Sequence, residues 1–259
     1  GTVALGRLHG SPVAIKVPRS QGAVRNNVKQ IASLCNEIRL LRRARHGNIV
    51  ALYGAAIDPA SGELGLLFEY VQGMAMSEFI ATIHASPRPP EKKALALAPP
   101  LLDVSCALSY LHSLEPVVVH GDVKGSNIKV VLSDMGPMRA KLLDFGLSRL
   151  LTKKAKPLGG TKVWMAPEIE CRSTAPLMPA PSADVYSFGL LAHFVMTGIP
   201  VGHSQDPDKP SGRYSRLTWP EDSPWQDKVK ELCSRCIVTR PAKRALMKDV
   251  RQAIVGWLA

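Results

Sequence analysis

The chain is poor in the features of a membrane, disulfide-stapled or repeat protein. No apolar stretch approaches the roughly 20 residues that cross a bilayer, and the opening GTVALG carries no signal-peptide pattern. The five cysteines, Cys35, Cys106, Cys171, Cys233 and Cys236, are odd in number and scattered, which favours reduced thiols and a cytoplasmic setting over a disulfide framework. Cys233 and Cys236 form a C-x-x-C with no second pair to complete a zinc site. They fall in the helical-looking DKVKELCSRCIV and read as small apolar core residues. Aromatic residues make up only 5% and are not interleaved with basic ones. So the net charge of +12, from 33 Lys and Arg against 21 Asp and Glu, comes without a base-stacking surface, and no nucleic-acid partner is expected. The densest cluster, RLLRRAR, reads as the solvated face and end of a helix. Internal repeats and low-complexity tracts are absent as well.

What is present is 46% hydrophobic residues over 259 positions, ample for one large domain or two lobes. TVALGRL and PVAIKV are β-branched runs separated by the turn signal HGS. VKQIASLCNEIRLLRRAR has helical spacing, with Ile31, Leu34, Ile38 and Leu41 on one face. NIVALYGAAI and LGLLFEYV follow as strands around DPASGE. Beyond Gly73 the patterning turns helical: MSEFIATIH, stopped by SPRPP, then LLDVSCALSYLH, with Pro99 and Pro100 expected in its first turn. VVVHGDVKGSNIKVVL and AKLLDFG are short apolar strands with polar ends, and helices broken by Pro- and Gly-rich loops complete the chain. The expectation is α+β: a small sheet with one helix over residues 1–71, and a larger, mainly helical part over 72–259.

Taken singly, the polar residues at these strand ends have bland readings. Lys16 in VAIK would snorkel to water, Glu37 would be an exposed acid in mid-helix, and Asp122, Asn127 and Asp144 would cap turns. Their order carries more. A strand Lys, a helix Glu, HGD with an Asn five positions after its Asp, DFG, and APE at residues 166–168 follow one another at workable separations. This series resembles the catalytic domain of the protein kinases, with its V-A-I-K, H-R-D-L-x-x-x-N, D-F-G and A-P-E signatures, and the resemblance runs almost the whole length.

The resemblance implies a bilobal kinase fold that transfers the γ-phosphate of ATP, with Mg²⁺, to a Ser or Thr hydroxyl of a protein substrate. It implies that Lys16, held by Glu37, grips the α and β phosphates, that Asn127 and Asp144 bind the metal, and that Asp122 orients the hydroxyl and takes its proton beside Lys124. It places Gly1 and Val3 at the end of the Gly-rich loop, so that the first strand and earlier glycines would precede this chain. It lines the nucleotide pocket with Ala14, Phe68 as gatekeeper, Glu69 to Val71 as hinge, and Lys129 on the floor. Leu41, Leu52, His120 and Phe145 match the apolar column between the lobes, Asp184 the anchor of the catalytic loop, and Arg244 the partner of Glu168. Lys124 and Thr161 resemble the Ser/Thr-kinase choice, and YSFGLL and VWMAPE look most like the tyrosine-kinase-like group of Ser/Thr kinases. A monomeric catalytic domain without a membrane segment is implied.

Two departures stand out. Gly121 replaces the Arg of H-R-D, which removes a partner for a phosphate on the activation segment, where Ser148 and Thr152 are the nearest hydroxyls; Arg149, Lys153, Lys154 and Lys156 already make that segment basic. Lys129 stands where the family packs an apolar residue under adenine; its stem would cover the ring and its ammonium would reach water. Lys129 and the missing glycines keep a second reading open, a pseudokinase acting as a nucleotide-sensing or scaffolding module. A basic nucleic-acid-binding module is a third.

Overall fold

The computed structural model describes residues 2–17, 24–60, 62–132, 138–151, 159–170, 179–201, 217–219 and 224–258. Gly1, Thr152, Lys153, Lys154, Lys156 and Cys171 lie outside them, as do most of the two segments read as loops, 175–181 and 202–220.

The first half of the fold is an antiparallel sheet of four strands in the order β1-β2-β4-β3: β1 Thr2–Leu8, β2 Ser11–Val17, β3 Leu52–Ile57 and β4 Leu64–Glu69. A two-residue turn at His9 and Gly10, both with positive φ, pairs Leu8 with Ser11 and closes the first hairpin. Strand alternation then puts Ala14 and Lys16 on one face, with Val3 directly opposite Lys16 and Phe68 opposite Ala14. Helix α1, Val24–Leu41, packs on this sheet. Over 31–41, where its side chains are described, the buried residues are Leu34, Glu37, Leu40 and Leu41, whereas Ile31, expected on the core face, is exposed. The apolar stripe is therefore shorter than the sequence spacing suggests, and an acid occupies its centre.

The second half is helical, as expected of a two-lobed fold. Strand β5, Met74–Ala75, leads into α2, Met76–Ala85, and then α3, Pro90–Ser113. Here the expectation for Pro99 and Pro100 is corrected. The helix begins at Pro90, a position where a missing N–H costs nothing, and carries both later prolines in its interior. The carbonyls deprived of donors are those of Leu95 and Ala96, neither of which is buried, so water can serve them. The expectation of no membrane-length apolar run is corrected too: α3 has the length and hydropathy. Leu97, Leu101, Val104, Leu108 and Leu111 are nonetheless buried along it, where it packs against α7, Met247–Leu258, strand β8, Arg139–Leu142, and α5, Pro181–Thr197. It is the core helix of this lobe.

Three short strand pairs carry the loops of interest. β6, Val118–Val119, pairs with β9, Arg149–Leu150, while β7, Ile128–Val131, lies between β5 and β8, Arg139–Leu142. A short helix α4, Pro167–Glu170, follows, and α6, Pro224–Cys236, packs on α5. Cys233 and Cys236 are buried in that contact. Burial pushes the Cys236 thiol up to about 12 and Cys233 higher still, so both behave as apolar core groups.

Candidate active site

Three separate pieces of backbone deliver the polar residues to one cleft. From β2, the Lys16 ammonium reaches Glu37 Oε2 at 2.8 Å and Oε1 at 3.0 Å, and Asp144 Oδ1 at 2.7 Å. Burial alone would lower its pKa, but the Glu37 and Asp144 carboxylates outweigh that and hold it above the usual lysine range. Glu37 is not the exposed acid of the bland reading; it is almost wholly buried, satisfied by Lys16 and by the Phe145 N–H at 3.2 Å. The same face of α1 holds the start of the activation segment: Ser33 Oγ donates to Gly146 O and Asn36 Nδ2 to Ser148 O. These two contacts were missed in the sequence, although Ser33, Asn36 and Glu37 form a polar stripe at helical spacing. Asp144 adopts φ +57°, a left-handed conformation that a non-glycine residue holds only under constraint.

The second piece is the loop between β6 and β7. Asp184, buried on α5, accepts the N–H of His120 and of Gly121, each at 2.8 Å, and a third contact from His112 Nε2 at 3.0 Å. Asp184 thus anchors the loop, and His112 is a member of that anchor the sequence did not reveal. Gly121 has φ +78°, which explains a bare glycine there: any side chain would be forced into the left-handed region. His120 and Phe145 meet edge to face, ring centroids 4.9 Å apart, with Leu41 in the same core and Leu52 packed on it. The four residues expected as an inter-lobe column do lie in one apolar body.

Asp122 is the hub. Lys124 Nζ donates to its Oδ2 at 2.7 Å and to Thr161 Oγ1 at 2.6 Å. The Thr161 N–H and hydroxyl both donate to Asp122 Oδ1, at 3.0 and 2.9 Å. Asn127 Nδ2 donates to the carbonyl and Oδ2 of Asp122, both at 2.9 Å. Burial would raise the Asp122 pKa, but Lys124 and Thr161 more than reverse this and hold it below the usual carboxylate range. Asp144 is likewise held low, burial being outweighed by Lys16. Ser148, named as a candidate hydroxyl for modification, is fully buried and donates to His120 O, so it is closed to modification in this conformation.

The cleft between the lobes has a volume of about 310 Å³ and is lined by Val3, Ala14, Lys16, Glu37, Phe68, Glu69, Val71, Asn127, Lys129 and Asp144, with Val50, Tyr70, Ser126 and Leu143 added. Of the expected site residues only Gly1, outside the described residues, and Asp122 and Lys124, which sit beside the cleft in the Asp122 cluster, are not among its walls. One expectation is refined. The Lys129 ammonium, expected to reach water, donates to the Gly73 carbonyl at 2.8 Å, because that carbonyl lies within reach at the end of the β4–β5 linker. Glu69, expected in the hinge, also pairs through its side chain with Lys141 at 2.8 Å.

At the far end of the second lobe Arg244 grips Glu168 with both arms, Nη1–Oε1 and Nη2–Oε2 each 2.6 Å, as the motif order implied.

A fold of two such lobes, with the Lys–Glu pair, the DFG aspartate and the HGD loop meeting in the cleft between them, is that of a protein kinase. The protein kinase domain family matches residues 1–254, and the chain belongs to that family. Within it the chain is most like the tyrosine-kinase-like group of Ser/Thr kinases. It is 32% identical to the serine/threonine-protein kinase CTR1 of Arabidopsis thaliana over 197 residues, 74% of this chain and 22% of that protein. It is 32% identical to human mitogen-activated protein kinase kinase kinase 10 over 195 residues, 73% and 19% of the two. Identity to the probable serine/threonine-protein kinase drkD of Dictyostelium discoideum is 28% over 263 residues, covering the whole chain and 19% of that protein. The chain therefore spans about a fifth of the length of these relatives.

Proposed function

We propose that this chain is an active Ser/Thr protein kinase domain, transferring the γ-phosphate of ATP to a protein hydroxyl. The observation that carries the reading is that Lys16 contacts both Glu37 and Asp144 while Asp122, Lys124, Asn127 and Thr161 form one bonded cluster beside them. Phosphoryl transfer asks the protein for little beyond position and charge. Lys16 would hold the α and β phosphates and Lys124 the γ-phosphate. The low pKa of Asp122 keeps it ionised at neutral pH, so that it can orient the incoming hydroxyl and accept its proton.

The residues fit a Mg²⁺ ion. Asp144 and the amide oxygen of Asn127 are hard oxygen donors facing one cleft, and among the described residues both side-chain hydrogen bonds of Asn127 are made through Nδ2 and neither through that oxygen. When bound, the ion would neutralise phosphate charge. The four described cysteines are free thiols, which supports a reducing, cytoplasmic setting. A pseudokinase acting as a nucleotide-sensing or scaffolding module is the second reading, and Lys129 on the cleft floor is the structural observation that favours it.

The test is transfer of labelled γ-phosphate to a generic protein substrate by the full-length protein. Asp122→Asn and Asp144→Asn are each expected to lower it on the order of 10²-fold or more with the fold intact. Near-wild-type transfer by Asp144→Asn in a Mg²⁺-dependent assay would end the kinase reading. No transfer by the unsubstituted protein, with ATP still bound, would favour the pseudokinase.

A further inference from the structure

The floor of the cleft holds a cation that phosphoryl transfer does not call for. Lys129 lies on β7 between β5 and β8, so Ala75 and Lys141 stand directly across from it. Like charges directly opposite on antiparallel strands work against each other. Lys141 is neutralised by Glu69, 2.8 Å from its Oε1 and 2.9 Å from its Oε2. No carboxylate among the described residues pairs with Lys129 in this way. Among the described residues its one hydrogen-bond acceptor is the carbonyl of Gly73, in a part-buried contact of 2.8 Å.

Gly73 sits where the chain passes from β4 to β5, just after the linker residues Tyr70 and Val71 that line the cleft. The linker runs so close over β7 there that a Cβ on Gly73 would collide with the Val130 carbonyl. Two contacts thus fasten the end of the linker to the same strand: the close approach of Gly73 to Val130 and the bond from Lys129. The ammonium lies at this linker end, whereas the ion pairs of Lys16 belong to Glu37 and Asp144.

We propose that Lys129 is a positioning residue that straps the linker at Gly73 to the cleft floor, holding the Glu69–Val71 backbone at a set height above β7. On this proposal, which rests on the reading that the cleft binds ATP, Lys129 governs binding of the nucleoside end and not of the phosphates. An apolar residue in its place would fill the floor but leave the Gly73 carbonyl without its charged donor.

The experiment compares the full-length protein with Lys129→Met and Lys129→Arg. Without nucleotide, hydrogen exchange of the amides at 71–75 is expected to quicken in the Met variant and return towards the original rate in the Arg variant, with protection elsewhere unchanged. In titrations the Met variant should bind ATP and adenosine about five- to tenfold more weakly, alike for both, as loss of one charge-assisted hydrogen bond predicts. The KM for ATP should rise more than kcat changes, and Arg should restore it. Unchanged exchange in Lys129→Met overturns the strap, as does weaker binding of ATP with adenosine spared, tighter binding of both, or an Arg variant as impaired as Met. If the unsubstituted protein binds neither ligand, the nucleotide reading fails, and the exchange measurement still decides the strap.

Discussion

Gly121 presents its N–H to Asp184 Oδ1 at 2.8 Å while holding a φ of +78°. A carboxylate on a buried helix, 63 residues further along, thus fixes the backbone of the residue before Asp122. The anchor demands a left-handed angle, and glycine meets it without strain. The exchange removes a guanidinium from the loop and relaxes the backbone that carries Asp122. Gly121→Ala keeps the N–H but adds a Cβ, so it should lower stability by about 1 kcal/mol, roughly 2–4 °C in Tm for a domain of this size. Thermal or urea melts read this directly. A variant as stable as its parent would mean the loop does not hold this angle in solution.

The depressed pKa of Asp122 has a consequence for stability. Burial pushes the group up, and the donors from Lys124 and Thr161 pull it below its unfolded value of about 3.9. A carboxylate of this kind contributes stability above its unfolded pKa and loses it as pH falls through the folded one. The Tm gap between the protein and Asp122→Asn should therefore be widest near neutrality and close as the pH drops below about 4. Parallel melting curves across that range would show that the cluster does not favour the ionised form.

Arg244 has a fully buried side chain, and its guanidinium also lies 4.8 Å from the centroid of the Tyr186 ring and donates to Ser182 O and Val238 O. Lysine carries the same charge but neither the fork nor the flat face. Arg244→Lys should destabilise by about 2 kcal/mol, since a partly buried Glu168 is left poorly paired. Paired with Glu168→Gln, the loss should be clearly less than additive by chemical denaturation. Full additivity would mean the two residues act apart.

Much of this site could be read without coordinates, because its parts are short and local. VAIK, HGDVKGSN and DFG each place a polar group at the end of an apolar strand, and alternation alone says which neighbours share its face. Asp122, Asn127 and Asp144 were named from that order, and the Asp184 and Arg244 anchors followed from the same framework. Elements went astray where the deciding partner was remote. Ile31 looks like a core residue by spacing, yet about half of it stays exposed, and Glu37 looks like a surface acid until β2 brings Lys16 against it. Pro99 and Pro100 signal a helix start, but α3 is held together through them by apolar packing on α5 and α7.

By itself, then, the sequence determined the order of elements, the faces of the strands and the identity of the charged groups, since these depend on residues within a turn or two of one another. Only the tertiary structure decided which charges are satisfied and by what. Lys16 finds Asp144 across 128 residues, Asp184 finds Gly121 across 63, and the Lys129 ammonium finds a backbone carbonyl at Gly73, 56 residues back. A backbone carbonyl carries no residue type, so no pattern in the sequence could mark it as an acceptor. Its availability depends on how closely the linker passes over β7, which packing sets.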